Sequence, residues 1–216
     1  VLLAAAEEER FVRVKHWAGL PLESIRFCLR RAEIPYNSVD FVCVNRDPRA
    51  NTHKKLLFIM TRRPSLQLIK NRFSNVLKIN QIENDLLCKL SGTHASRKPS
   101  LRYIEHHRAH LASAFFVSGF DRSLVLSIDG FGDFSSAMAS CGEHDKLFPF
   151  FEVNYPHSLG IFYTAFTQFL GFEKFGDEYK VMGLAAYGKP RYCPKLRKII
   201  AIDKSGRYRL NQDYFN

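Results

Sequence analysis

The sequence lacks any apolar run near the roughly 20 residues that a membrane-spanning helix requires, and no basic-then-apolar leader stands at its start. Its five cysteines are scattered singly, without a Cys-x-x-Cys pair. We therefore expect reduced, mostly buried thiols in a cytoplasmic protein that makes no membrane contact.

The chain nevertheless has the composition of a folded protein, since 46% of its 216 residues are hydrophobic and 19 are phenylalanine. This length suits one large domain or two small ones. Residues 1–6 and 40–45 are typical of strands, and residues 21–31 have the apolar spacing of an amphipathic helix. The order strand, helix, strand predicts an α/β fold.

Positive charge is concentrated in residues 46–102, which hold 13 Lys and Arg against 3 Asp and Glu, a net charge of +10 out of +11. Residues 56–60 and 66–90 have helical apolar spacing, and 91–100 has a linker composition. An anionic partner such as a phosphate or a nucleic acid is one interpretation. We favour a basic helical insertion at 46–100 and do not expect nucleic acid as a partner, because no RNA-binding signature accompanies the charge.

A histidine pair opens an apolar run at 111–116 that is typical of a helix. His106 and His110 are four residues apart, which places both imidazoles on one helical face, with their Cβ atoms about 6 Å apart. Such a pair can share one metal ion. The alternative is an ordinary polar helix start, since Glu105 and His106 lie where the helix would begin.

A short β-branched run at 123–128 predicts a buried strand that ends at Asp129, and 135–140 predicts the returning strand. The intervening Asp-Gly-Phe-Gly-Asp predicts a turn with positive-φ glycines. Its backbone N–H groups, at Gly130, Gly132 and Asp133, suit a phosphate or an oxyanion. Two imidazoles and the Asp129 carboxylate would make a three-ligand metal site with room for water or substrate, suited to Fe²⁺ or Zn²⁺.

Beyond this hairpin the pattern continues with alternating elements. We predict a strand at 147–153, a helix at 158–170 capped by Ser158, a basic helix at 190–203 and a strand at 208–210. His157, which precedes the capped helix, could equally pack or contact substrate.

Five stretches together carry a resemblance to a known family, in that family's order. They are AEEERFVRVKH at 6–16, HHRAHLASAFF at 106–116, DGFGD at 129–133, HSLGIFY at 157–163 and DEYKVMGLAAYG at 177–188. The chain resembles the O-carbamoyltransferases of the NodU/CmcH type over nearly its whole length. The resemblance implies the N-terminal part of a Kae1-like domain of the actin/sugar-kinase (ASKHA) class. It also implies that the rest of that domain and a YrdC-like domain lie outside residues 1–216, so that this part alone is inactive.

The resemblance also implies an activity. Members transfer a carbamoyl group from carbamoyl phosphate, through carbamoyl-adenylate formed with ATP and Mg²⁺, to a hydroxyl of a small-molecule acceptor. It assigns the metal to His106, His110 and Asp129, with one further ligand beyond residue 216. Substrate or nucleotide contacts would come from Lys15, Glu178, Lys180 and Gly183. The Glu178–Lys180 region could instead be a solvated ion pair.

Two other functions remain open from the sequence. One is carbamoyl or threonylcarbamoyl transfer to a protein or a tRNA, which related domains perform. The other is a non-enzymatic nucleotide- or nucleic-acid-binding module that uses the basic segment.

Overall fold

The computed structural model describes residues 2–62, 82–90 and 99–215. The chain has a mixed α/β architecture and forms two compact units. One comprises Val1–Val44 and Phe58–Tyr103, and the other comprises Asn45–Leu57 and Ile104–Asn216.

The first unit is built on two short parallel strands, β1 (Phe41–Val44) and β2 (Ser100–Tyr103). Its helices are α1 (Glu9–Val12), α2 (Leu22–Ala32), the end of α3 (Thr52–Arg62) and α4 (Ile82–Leu90). The buried Glu8 carboxylate accepts hydrogen bonds from the backbone N–H groups of Glu23 and Ser24, at 3.1 and 2.8 Å. It thereby satisfies two of the N–H groups that the start of α2 leaves without an intrahelical partner.

The second unit is built on an antiparallel sheet of three strands in the order β3–β4–β5. These strands are Arg122–Gly132, Ser135–Glu143 and Lys146–Asn154. Its helices are α5 (His106–Phe115), α6 (Leu159–Phe169), α7 (Glu178–Ala185) and the short α8 (Cys193–Leu196). A small hairpin of β6 (Ile200–Ile202) and β7 (Tyr208–Leu210) completes it.

Helix α5 packs on one face of this sheet. Leu111 and Phe115 are buried against Val125 of β3 and Met138 of β4. Gly142 of β4 allows this approach, since a Cβ there would lie 2.6 Å from the Phe115 ring. Burial of a leucine side chain contributes about 1.5–3 kcal/mol, so these contacts hold the histidine helix on the sheet.

Part of the opposite face of the sheet is covered by later parts of the chain. Ala137 of β4 and Val153 of β5 pack with Tyr208 of β7 and with Leu159 of α6. Ala137 and Met138 are neighbours on the central strand, so their side chains point to opposite faces. Both layers are therefore anchored on β4.

Strand β3 is irregular at its end. Regular pairing with β4 runs to Ile128, which faces Ala137, and resumes only at Gly132, which faces Ser135. Residues 129–131 form a bulge, and the chain then turns at Asp133 and Phe134, which have φ values of 50° and 80°. The predicted turn with positive-φ glycines is therefore wrong. Gly130 and Gly132 belong to the strand, and the residues with left-handed backbone are Asp133 and Phe134.

Most of the predicted elements are confirmed. The α/β class, helix α2, strands β1, β3 to β5 and β7, helix α5 and the Ser158 cap of α6 all appear where the sequence indicated. Strand β3, however, is buried on one face only. Two of the predicted helices and strands are wrong. Residues 2–6 form no strand, and the expected helix at 190–203 is the four-residue α8 followed by strand β6.

The helices predicted within the basic segment are confirmed in part. Residues 56–60 are helical as expected, within α3, and α4 matches the end of the predicted 66–90 helix. The rest of that helix and most of the 91–100 linker lie outside the described residues. The insertion at 46–100 stays a prediction.

The thiols differ from expectation. All five cysteines lie among the described residues, and each is free. Cys43, Cys88 and Cys193 are exposed, and Cys28 and Cys141 are half-buried, so the expectation of mostly buried thiols is wrong. Within the described ranges, no helix is both long and apolar enough to cross a membrane.

Candidate metal centre

The start of α5 and the end of β3 bring three predicted ligands together. His106 Nε2 lies 2.9 Å from Asp129 Oδ2, and His110 Nε2 lies 3.1 Å from His106 Nε2 and 3.3 Å from the same carboxylate oxygen. Among the described residues, His106, His110 and Asp129 form a cluster that could hold a metal ion, since one donor atom from each lies within 4.8 Å of the other two.

The spacing of the donor atoms fits a metal ion. Ligand atoms bound to one zinc ion at 2.0–2.2 Å stand about 2.8–3.6 Å apart in octahedral or tetrahedral arrangement, and the three observed distances lie within this range. The site is open on one side, since the side chains of His110 and Asp129 are 47% and 43% exposed, whereas that of His106 is 18% exposed. Water or a substrate can therefore reach it.

The hydrogen bonds of His106 indicate its tautomer. Its Nδ1 lies 3.3 Å from the backbone carbonyl of Asn45, and a carbonyl can only accept, so Nδ1 carries the proton. In the neutral ring, Nε2 then presents a lone pair to the Asp129 carboxylate. Two acceptors 2.9 Å apart require a cation between them, either a metal ion or a second proton on the ring.

The Asp129 carboxylate is ionised at neutral pH. Burial raises its pKa, but the contact with the His106 ring at 2.9 Å and a hydrogen bond from the Gly130 N–H at 2.6 Å outweigh that effect and place the pKa below its ordinary value. An ionised carboxylate is the form that binds a metal.

Helix α6 holds the bulge that carries Asp129. Ser158 Oγ donates to the backbone carbonyl of Gly130 at 2.7 Å, lies 3.1 Å from that of Asp129, and accepts the N–H of Ile161. One hydroxyl thus caps the helix and binds carbonyl groups of the bulge, which the sheet ladder leaves unpaired.

His107, which the sequence left without a role, is fully buried. Its Nδ1 lies 2.8 Å from Ser127 Oγ of β3, and burial lowers its pKa. It is therefore a neutral core residue that ties α5 to the sheet, and it does not belong to the ligand cluster.

A second feature missed from sequence is the segment 45–54, which we call the strap. It lies in the second unit, against the Asp133 turn and β5. Asp47 N–H donates to Asp133 Oδ2 at 2.7 Å, and the Asn51 amide donates to the Asp133 carbonyl at 3.0 Å. No periodicity marks these residues, so only their polar, turn-forming composition could have drawn attention to them.

The strap also forms an ion pair with the sheet. Lys54 Nζ lies 2.5 Å from Glu152 Oε2 of β5, and both side chains are about a quarter exposed. Burial raises the pKa of Glu152, but hydrogen bonds from Lys54, Ser135 and Asn51 outweigh it and place the pKa below its ordinary value.

This pair predicts a loss of stability in acid. A carboxylate whose folded-state pKa is depressed stabilises the fold above its unfolded pKa, about 4.3, and loses that contribution as the pH falls through its folded pKa. Glu152→Gln is expected to lower the free energy of unfolding by about 1–3 kcal/mol at pH 7 and to converge with the wild type in acid. Urea denaturation across the pH range measures this. Glu143→Gln on β4 is the matched control, and equal acid sensitivity of wild type and Glu152→Gln would contradict the prediction.

The other predicted contact residues are distributed over both units. Lys15 lies in the first unit, between α1 and α2. Glu178 accepts a 2.6 Å hydrogen bond from Thr164, and Lys180 forms a 2.7 Å ion pair with Asp177 rather than with Glu178. Gly183 lies on α7 with open space where its side chain would be. His157 packs, since its Nδ1 accepts the Leu210 N–H at 3.2 Å.

Comparison with known proteins places this chain in a family. A family model described as carbamoyltransferase N-terminus matches residues 1–216. An uncharacterised protein of Synechocystis is 35% identical over 222 residues, which cover all of this chain and 36% of that protein. The nodulation protein NolNO of Sinorhizobium fredii is 35% identical over 214 residues, 98% of this chain and 30% of that protein.

A shorter match agrees with these. The nodulation protein NolO of Bradyrhizobium diazoefficiens is 42% identical over 111 residues, which are 51% of this chain and 20% of that protein. The chain thus spans about a third of the length of the first two relatives. The resemblance seen in the five sequence motifs is confirmed, and the chain belongs to the carbamoyltransferase family, of which it represents the N-terminal region.

Proposed function

We propose that the full-length protein transfers a carbamoyl group from carbamoyl phosphate, through carbamoyl-adenylate, to a hydroxyl of a small-molecule acceptor. The observation that carries this proposal is the convergence of His106, His110 and Asp129 in a chain of the carbamoyltransferase family. Transfer to a hydroxyl needs an oxygen-binding electrophilic centre beside an open surface, and the exposed side of this cluster supports that arrangement.

The three side chains would hold one Fe²⁺ or Zn²⁺ ion. When bound, such an ion supplies Lewis acidity to a phosphate or carbamoyl oxygen. The protein itself provides a negative charge at Asp129 and a fixed lone pair at His106 Nε2. The neighbouring Gly130, Gly132 and Asp133 follow Asp129 directly and are the proposed contact region for the phosphate or carbamoyl group.

The nucleotide would be bound elsewhere on the same protein. We assign Glu178, Lys180 and Gly183 to the adenylate, and Lys15 to a substrate or phosphate. Carboxylates suit ribose hydroxyls and an ammonium suits a phosphate. Hydrogen bonding to Thr164 lowers the pKa of Glu178, so this carboxylate is ionised and able to accept from a hydroxyl. ATP with Mg²⁺ would be used by a YrdC-like domain, and this chain would be the N-terminal part of a Kae1-like domain of the ASKHA class.

The test is a transfer assay on the full-length protein with carbamoyl phosphate, ATP and a panel of sugar and aminoglycoside acceptors. We expect a carbamoylated product, loss of turnover after chelation, and recovery on addition of Fe²⁺ or Zn²⁺. Lys180→Ala should weaken transfer and leave the adenylate-forming exchange largely intact. No product with any acceptor would contradict the proposed reaction, and unchanged turnover by protein shown to be metal-free would contradict the role of the metal.

A further inference from the structure

His106 is held in place by more contacts than its partner ligand His110. Its backbone N–H donates to Asp133 Oδ2 at 3.0 Å, and its Nδ1 donates to the Asn45 carbonyl. Its ring lies where a side chain on Gly132 would stand, so any residue larger than glycine there would displace the imidazole. Within the described part of the chain, by contrast, the His110 ring has polar contacts with His106 and Asp129 and a ring contact with His107.

The Asp133 carboxylate joins the ligand helix to the strap. Its Oδ2 accepts both the His106 N–H and the Asp47 N–H, so one oxygen fixes the first residue of α5 and the strap together. Glu105 already caps the next two N–H groups of this helix, at 3.1 and 2.8 Å. Asp133 therefore completes the N-terminus of α5 at the residue that carries a ligand.

Asn51 fixes Asp133 in turn. Its amide nitrogen lies 3.0 Å from the Asp133 carbonyl and 3.2 Å from both Ser135 Oγ and Glu152 Oε1. Asn51 and Asp133 both have positive φ values, 55° and 50°, which Asn and Asp tolerate better than most residues. One amide group therefore joins the strap to the left-handed turn at Asp133.

We propose that the strap positions the metal centre. Asn51 of the strap and Asp133 of the neighbouring turn are positioning residues, which fix the orientation of the His106 ring through hydrogen bonds. This inference rests on the proposed metal site and adds to it residues that do not touch the metal. It assigns the Asp133 carboxylate to the His106 N–H, so the group of Asp133 proposed to contact substrate is its backbone N–H. Groups that orient a metal ligand through hydrogen bonds typically change metal affinity by 10–100-fold when removed.

The experiment is a Co²⁺ titration of the full-length apoprotein, followed by visible absorption, which reports the geometry of the ligands as well as the affinity. Asp133→Gly removes the carboxylate and tolerates the positive φ. We expect it to weaken Co²⁺ binding at least about tenfold and to shift the absorption bands. Asp133→Asn keeps an acceptor oxygen in the same place, so it should bind within about threefold of the wild type. Asn51→Gly should weaken binding in the same direction as Asp133→Gly.

Two further variants separate the possible failures. His144→Asn, at an exposed histidine in the turn between β4 and β5, is the control and should leave the titration unchanged. His110→Ala should abolish tight binding. If it does so but Asp133→Gly and Asn51→Gly bind like the wild type, the positioning role is wrong and the metal site stands. Equal losses in Asp133→Asn and Asp133→Gly would show that the charge itself acts on the ligand, which also overturns the inference. Absence of Co²⁺ binding by the wild type would overturn the metal site and the positioning role together.

Discussion

Alanine at His110 is expected to remove most of the bound metal and to lower carbamoyl transfer at least about 100-fold, which corresponds to a loss of about 3 kcal/mol of transition-state stabilisation. Asp129 and His106 would then be the two remaining donor atoms from residues 1–216, which leaves the site one ligand short of its full set. His110 is the most informative ligand to change, because its side chain is nearly half exposed and its polar contacts are with the other two ligands. Its removal should therefore leave the fold intact.

Elemental analysis of the purified full-length protein measures this effect, with thermal unfolding as the check on folding. His144→Asn is the matched control, since His144 is an exposed histidine at a positive φ in the turn between β4 and β5, which asparagine tolerates. Full metal occupancy in His110→Ala would rule out the ligand assignment.

The second large effect is expected from Gly160→Ala. A Cβ on this residue of α6 would lie 2.6 Å from the Gly130 nitrogen and 2.7 Å from the Asp129 carbonyl carbon and oxygen. These are backbone atoms, which cannot swing aside as a side chain can. Because overpacking of this kind costs about 1–3 kcal/mol, the variant should be less stable by that amount, and the shift of Asp129 should weaken metal binding.

Gly183→Ala is the informative comparison. A Cβ on Gly183 would meet nothing within 4 Å, and alanine is favoured over glycine inside a helix by about 0.8–1 kcal/mol. Chemical denaturation should therefore show Gly160→Ala destabilised and Gly183→Ala equal to or more stable than the wild type. Equal stability of all three proteins would contradict the close contact between α6 and the bulge. A loss of transfer in a stable Gly183→Ala protein would support its assignment to the nucleotide.

The features that the sequence predicted well are those whose signal is local. The spacing of His106 and His110 within an apolar run indicated both α5 and the shared face, and the β-branched run before Asp129 indicated β3. The convergence of the three donor atoms could be proposed from these patterns, because a helix and a strand each leave little freedom for where their side chains point.

The strap could not be predicted in the same way. Its bonds to the site join residues 61, 82 and 86 positions apart, and nothing in the spacing of Asn45, Asp47 or Asn51 indicates such partners. The predicted helix at 190–203 was wrong for a related reason. Its basic residues are compatible with a helix, but Ile200 and Ile202 are β-branched and pair with β7, so tertiary pairing decided their conformation.

The irregular end of β3 has a consequence for chain length. In an unbroken strand, Asp129 and Gly132 would have opposite parity and point to opposite faces of the sheet. Yet the Asp129 carboxylate meets both ligand histidines, and the missing Gly132 side chain would point at His106. The register shift between Ile128 and Gly132 reverses the alternation of the side chains, so Asp129 and Gly132 both face the histidine helix α5. What this stretch must conserve is therefore the number of residues between Asp129 and Gly132, more than the identity of the residues that fill it.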